Sequence, residues 1–121
     1  MQKDIKVLLA DDSAFMRKIL RDILEHEGYS HFIECADGEE CIEKSNSENP
    51  DLIFLDIVMP KIDGIEVLKR VGRNYNVIVV SAIGQEKTKE MAKDLGAKGY
   101  ITKPFDWKQV SSEIKKLYPE S

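Results

Sequence analysis

An acidic pair, Asp11-Asp12, a single acid, Asp56, a hydroxyl, Ser81, and an ammonium, Lys103, each close a short, largely apolar run. Three carboxylates brought together repel one another and raise their own pKa values unless a cation joins them. A hard dication answers that need. Magnesium takes one or two carboxylates, keeps several waters and often accepts phosphate oxygens. Lys103 adds a further positive charge, so that three carboxylates, one dication and one ammonium cancel formally. A phosphoryl group arriving on one aspartate adds more negative charge. The metal, the ammonium and the Ser81 hydroxyl are the groups to absorb it. Aspartate is a known phosphoryl acceptor. Each residue alone also has an ordinary reading: a double Asp or a Ser at a strand end as a helix cap, a Lys-Pro pair as a loop. Their meeting at one sheet edge is what points to a site.

The elements that would bring them there are legible. Asp51-Leu52-Ile53-Phe54-Leu55-Asp56 holds four consecutive apolar residues between acids, the mark of a strand buried on both faces. Ile5–Ala10 and Val77–Val80 read the same way. His31–Cys35 and Gly99–Thr102 are shorter and more polar, and fit sheet edges. Five helices alternate with these strands. Their expected caps are Ser13, Asp37, Asp63 and Asp106, with Gln109 completing a capping box and Phe105 and Val110 a hydrophobic staple. Gly28 and Gly96 stand where helices stop. Core stripes are expected at Met16, Ile19, Leu20, Ile23 and Leu24, at Ile65, Leu68 and Val71, at Thr88, Met91, Ala92 and Leu95, and at Val110, Ile114 and Leu117. The second helix has only Cys41 and Ile42 to bury and is expected to be the least firmly packed. Alternating strands and helices imply an α/β fold, a five-stranded parallel sheet covered on both faces. Right-handed crossovers and polar edge strands give the flavodoxin-like order 2-1-3-4-5. In such sheets ligands bind at the carboxyl ends of the strands.

The bulk numbers allow one domain over residues 1–121. A net charge of −4 argues against general affinity for nucleic acid or anionic membranes. No apolar run has the length of a transmembrane helix, and the start shows no cleavage-site pattern. Cys35 and Cys41 lack CxxC spacing and read as two free thiols in a cytoplasmic protein.

Asp11-Asp12, Asp56, Met59-Pro60, Asp63-Gly64, Ser81-Ala82 and Lys103-Pro104-Phe105, in this order across nearly the whole chain, resemble the receiver domain of two-component response regulators. The runs from Asp11 to Arg17 and from Ser81 to Gln85 look most like the single-domain, CheY-like chemotaxis regulators. The resemblance implies specific roles. Asp56 takes a phosphoryl group from a histidine kinase. Asp12 and Asp56 ligate Mg2+ directly, Asp11 through water, and the Val58 carbonyl adds a ligand. Ser81 and Lys103 bond phosphoryl oxygens. Tyr100 turns inward as an aromatic switch when Ser81 moves, and the Lys103-Pro104 peptide is cis. The chain would be a phosphoacceptor switch, an enzyme only toward itself, and a monomer by default. Val58 and Ile83 are apolar where many chemotaxis regulators are polar, so slow loss of the phosphoryl group and a separate phosphatase are expected.

The implied output face combines the fourth helix, fifth strand and fifth helix. From Glu86 to Lys116 it holds eight lysines and five acids, locally +3, which suits an acidic partner segment. Trp107 is expected to be partly exposed beside Tyr100. The chain stops soon after the fifth helix, so the expectation is a stand-alone switch for chemotaxis, with a phosphorelay intermediate or a receiver cut from a larger regulator as the alternatives. An aspartate-nucleophile phosphatase would want a second acid at position 58, where Val58 stands. An FMN carrier would need a phosphate-cradling loop where Asp11-Asp12 would repel the phosphate.

Overall fold

The chain is described by a computed structural model over residues 4–119. In order, the elements are β1 (Lys6–Ala10), α1 (Ala14–His26), β2 (His31–Cys35), α2 (Gly38–Glu48), β3 (Leu52–Leu55), α3 (Gly64–Val71), β4 (Asn76–Ser81), α4 (Glu86–Asp94), β5 (Gly99–Thr102) and α5 (Trp107–Leu117). All four strand pairings are parallel, and the order is β2-β1-β3-β4-β5. The expected α/β fold, strand order and edge strands are those observed.

Parallel strands bury both faces, and successive side chains point to opposite sides. The central strands therefore feed two cores. Leu8, Ala10, Ile53, Leu55, Val77 and Val79 face Cys41 of α2, Val67, Leu68 and Val71 of α3 and Ala92 of α4. Val7, Leu9, Leu52, Phe54, Ile78 and Val80 face Leu20 and Leu24 of α1 and Val110 and Ile114 of α5. Burying each large side chain contributes about 1.5–3 kcal/mol.

The helix starts are set by the expected residues. Ser13, Asp37 and Asp63 accept from the backbone N–H groups of Met16, Glu40 and Glu66 at 3.2, 2.8 and 3.0 Å. Asp106 and Gln109 close a full capping box, and Phe105 packs into the same core as Val110. Gly96 ends α4 with φ of +112°, where a Cβ would also lie 2.6 Å from the Gly72 carbonyl oxygen. The Lys103-Pro104 peptide is cis, as the family resemblance implied.

Two packing expectations are corrected. The lightly held helix is α4, not α2. Helix α2 buries Gly38, Cys41 and Ser45, and a Cβ on Gly38 would overlap the Ile62 backbone. Its sequence hides this because two of the three buried residues are a glycine and a serine. Helix α4 buries only Ala92, and Met91 is 41% exposed rather than in the core. A row of charges on α4 leaves only a narrow stripe for contact with the sheet.

Candidate functional site

Register places the reactive side chains. Ala10 pairs with Leu55, so the residues that follow, Asp11 and Asp56, leave adjacent strands at the same height. Backbone bonds continue the alignment: the Asp56 N–H donates to the Ala10 carbonyl at 2.9 Å, and the Asp11 N–H to the Cys35 carbonyl at 3.2 Å. On the other side Ser81 pairs with Thr102, and the Lys103 N–H donates to the Ser81 carbonyl at 2.8 Å. The carboxyl edge of the sheet therefore gathers Asp11, Asp56, Ser81 and Lys103.

The Lys103 ammonium donates to Asp11 Oδ2 at 2.8 Å and to Asp56 Oδ2 at 2.9 Å. Both acids are nearly buried, and Lys103 is 18% exposed along its side chain. Burial works against the Lys103 charge, but its bonds to Asp11 and Asp56 outweigh that and raise its pKa above the usual lysine value. The other oxygens are steadied by the backbone. Asp11 Oδ1 accepts from the Ser13 N–H at 2.9 Å and Asp56 Oδ1 from the Val58 N–H at 3.2 Å. A carboxylate has about four lone-pair sites, so each acid keeps capacity beyond these bonds.

Asp12 completes the group. It is exposed, and ligand oxygens of Asp11, Asp12 and Asp56 all lie within 4.8 Å of one another. Three carboxylates opening to solvent on one side make an all-oxygen donor set, and that suits a hard, partly hydrated dication such as Mg2+. When bound, such an ion supplies positive charge beside phosphoryl oxygens.

Ser81 is fully buried, and its Oγ accepts from the Ile83 N–H at 3.2 Å. The Tyr100 hydroxyl donates to the Ile83 carbonyl. Burial pushes the Tyr100 pKa up, the Ser81 hydroxyl opposes this, and the Asp56 charge adds to it. Tyr100 thus meets Ser81 through Ile83, whose carbonyl accepts from the Tyr100 hydroxyl and whose N–H donates to the Ser81 Oγ. Its ring carries the Lys89 ammonium at 5.9 Å from the centroid.

Trp107 departs from expectation. It is 56% exposed, but it lines a mostly apolar cleft with Asp22, Ile23, His26 and Glu27 of α1. Tyr100 instead lines a groove of about 360 Å³ between α4 and α5, with Lys89, Lys93, Lys98 and Lys116 around it. Trp107 opens α5 on the side of the sheet that α1 shares, while Tyr100 faces α4.

Sequence reasoning passed over Arg17 and Glu34. Arg17 Nη1 donates to the Asp11 carbonyl at 2.6 Å and Nε to Glu34 Oε1 at 2.8 Å. The available signal was position: helical side chains lean toward the N-terminus, so a cation in the second turn of α1 reaches back to the end of β1. Among the described residues no helix is long and apolar enough to cross a membrane. Both cysteines are free and buried.

Comparison with known proteins gives a consistent set. Residues 7–115 match the family described as response regulator receiver domain. The chain is similar to a chemotaxis protein CheY of Halobacterium salinarum, 44% identical over 112 residues, covering 90% of this chain and 92% of that protein. It is 37% identical to PhoP, the alkaline phosphatase synthesis transcriptional regulatory protein of Bacillus subtilis. That match covers 96% of this chain and only about half, 49%, of the relative. Among solved structures, a CheX-CheY-BeF3-Mg2+ complex from Borrelia burgdorferi aligns with a TM-score of 0.89 and 37% identity, over 94% of this chain and 89% of that one.

Proposed function

The chain belongs to the response regulator receiver domain family, and on that premise we propose that it is a single-domain, phosphorylation-driven switch whose acceptor is Asp56. The observation that carries this reading is the Lys103 ammonium held between Asp11 and Asp56 at the carboxyl edge of the sheet. A carboxylate oxygen of Asp56 attacks the phosphorus of a phosphohistidine on the partner kinase. The new O–P bond forms as the N–P bond breaks, and the imidazole leaves. Lys103 stays beside the acceptor and pairs with a phosphoryl oxygen. The buried Ser81 hydroxyl turns from the Ile83 N–H to donate to another. Asp12 and Asp56, with Asp11 and the Val58 carbonyl as further oxygen donors, would hold Mg2+, which would supply positive charge beside the phosphoryl oxygens.

Tyr100 links this event to the surface. Its hydroxyl is tied to Ile83, two residues after Ser81, and its ring forms part of the groove between α4 and α5. A shift of Ser81 therefore reaches the α4-β5-α5 face through one side chain. The four lysines around that groove suit a downstream target presenting an acidic segment. The likeness to CheY proteins favours a cytoplasmic role in chemotaxis, with a phosphatase as a further partner. A second reading, the receiver part of a larger regulator, is favoured by the half-length match to PhoP.

The test is intact mass after incubation with acetyl phosphate. A gain of one phosphoryl group with Mg2+, abolished by chelator and by Asp56→Asn, is the expected result. No gain under any condition would remove the phosphoacceptor role.

A further inference from the structure

The acid pocket leans on a second ionic cluster that the phosphoryl chemistry does not use. Asp11 is held through four separate polar atoms. Its N–H, Oδ1 and Oδ2 are bonded to the Cys35 carbonyl, the Ser13 N–H and Lys103. The fourth atom, its carbonyl oxygen, accepts from Arg17 at 2.6 Å. That carbonyl belongs to the peptide joining Asp11 to Asp12. Its orientation decides where the exposed Asp12 carboxylate leaves the chain.

Arg17 is itself braced. Its side chain is 16% exposed, and its Nε bonds Glu34 of β2 at 2.8 Å. The Arg17 bond lowers the Glu34 pKa and favours its ionised form. A guanidinium presents its donors in a rigid planar fork. One edge meets Glu34 and the other meets the Asp11 carbonyl, so the edge strand fixes the peptide between the two acids.

We propose that Arg17, braced by Glu34, is a positioning residue that orients the Asp11-Asp12 peptide and so sets the affinity of the acid pocket for Mg2+. The inference rests on reading Asp11, Asp12 and Asp56 as the magnesium cradle. Groups behind metal ligands typically govern about 10–100-fold in affinity.

A plain clamp between α1 and β2 is the competing account, and the structure contains its control. Arg21 bonds the same Glu34 at 3.0 Å and lies over the Phe32 ring at 5.2 Å, yet no bond joins it to Asp11. Removing Arg21 loosens the clamp and leaves the Asp11 carbonyl held.

The experiment titrates MgCl2 alone into the parent chain and into Arg17→Met, Arg17→Lys, Glu34→Gln and Arg21→Met by calorimetry. A thermal melt of each in chelator checks folding. Arg17→Met is expected to weaken Mg2+ binding about tenfold, toward the low end of that range. Arg17→Lys and Glu34→Gln should fall between it and the parent, and Arg21→Met should match the parent. At saturating Mg2+ the acetyl phosphate reaction of Arg17→Met should recover to near the parent rate, which separates positioning from chemistry. Parent-like affinity in Arg17→Met, or an equal loss in Arg21→Met, would overturn the inference. If Arg17→Met does not fold, parent-like affinity in both Arg17→Lys and Glu34→Gln overturns it instead. A parent chain that binds no Mg2+ would remove the magnesium reading itself, and with it this inference.

Discussion

Gly64 lies so close to Asp56 that a Cβ built on it would stand 2.4 Å from the Asp56 carbonyl oxygen and 2.6 Å from the Ile57 Cα. The Gly64 N–H also donates to the Ile57 carbonyl at 2.8 Å, so the first residue of α3 is fastened to the loop that follows Asp56. Both obstacles are backbone and neither can swing away. Gly64→Ala is therefore expected to destabilise the fold by about 1–3 kcal/mol, the usual cost of overpacking. Urea unfolding checks this, and an unchanged midpoint would contradict the contact.

Removing the Lys103 ammonium leaves Asp11 and Asp56 facing each other with no cation between them. Breaking a buried ion pair costs about 3–5 kcal/mol, and the 18% exposure of Lys103 puts this site near the lower end. Lys103→Met should lose that stability in chelator and regain part of it on adding Mg2+. Equal unfolding midpoints for parent and variant in chelator would show that the ammonium is not structural.

Asp12 is exposed and takes no part in the Lys103 bonds. Asp12→Asn should leave the fold in chelator at least as stable as the parent, since it removes one of three mutually repelling carboxylates, while weakening the response to Mg2+. A ligand at 100 times its Kd stabilises the native state by about 2.7 kcal/mol. The parent should show a rise of that order in a Mg2+ series, and the variant a smaller one at the same concentrations. A variant that melts with the parent at every Mg2+ concentration would exclude Asp12 from the cradle.

Val58 is 59% exposed beside Asp56, the proposed acceptor, and Ile83 is partly buried near Ser81. Neither side chain can hold a water for attack on a phosphoryl group. Val58→Asn is expected to speed dephosphorylation by about tenfold, short of the ~10²–10⁴ given by a positioned acid or base, because an amide only orients the water. Decay of the phosphorylated mass after donor removal measures it, and identical decay curves would refute the assignment.

Glu34 has its pKa lowered from 4.5, first by the Arg17 bond. A lowered carboxylate stabilises the fold above its unfolded pKa and loses that contribution as pH falls through the folded value. Parent stability should therefore drop more steeply than that of Glu34→Gln as pH falls below about 4.5. Parallel curves for the two proteins would show that the pair contributes nothing on folding.

Much of this architecture was readable because unbroken apolar runs such as Leu52–Leu55 and Val77–Val80 have few other uses than buried strands. The acids, the serine and the lysine could then be placed from strand ends alone. The rest depended on contacts that leave no periodic trace. Val67 of α3 is the exception: it is fully buried and lies four residues before Val71, so its helical spacing was open to view although the expected stripe left it out. Ser45 is buried inside α2 with its carbonyl accepting from the Tyr75 hydroxyl at 2.8 Å, which no hydrophobicity pattern marks. Met91 has the spacing of a core residue but faces out, because α4 rests on the sheet through one alanine. Arg17 looks like any helix-surface cation until the end of β1 and Glu34 are seen around it.

Trp107 is the chain's one tryptophan, and its place over the α1 cleft gives the molecule a built-in optical reporter. Its indole emission samples the seam between α1 and α5, while the lysine-lined groove runs along the far flank of α5, between that helix and α4. A binder that settles into that seam should shift the emission directly. One that settles between α4 and α5 reaches it only along α5, through Lys116, and should shift it less, so a single unlabelled sample ranks the two faces.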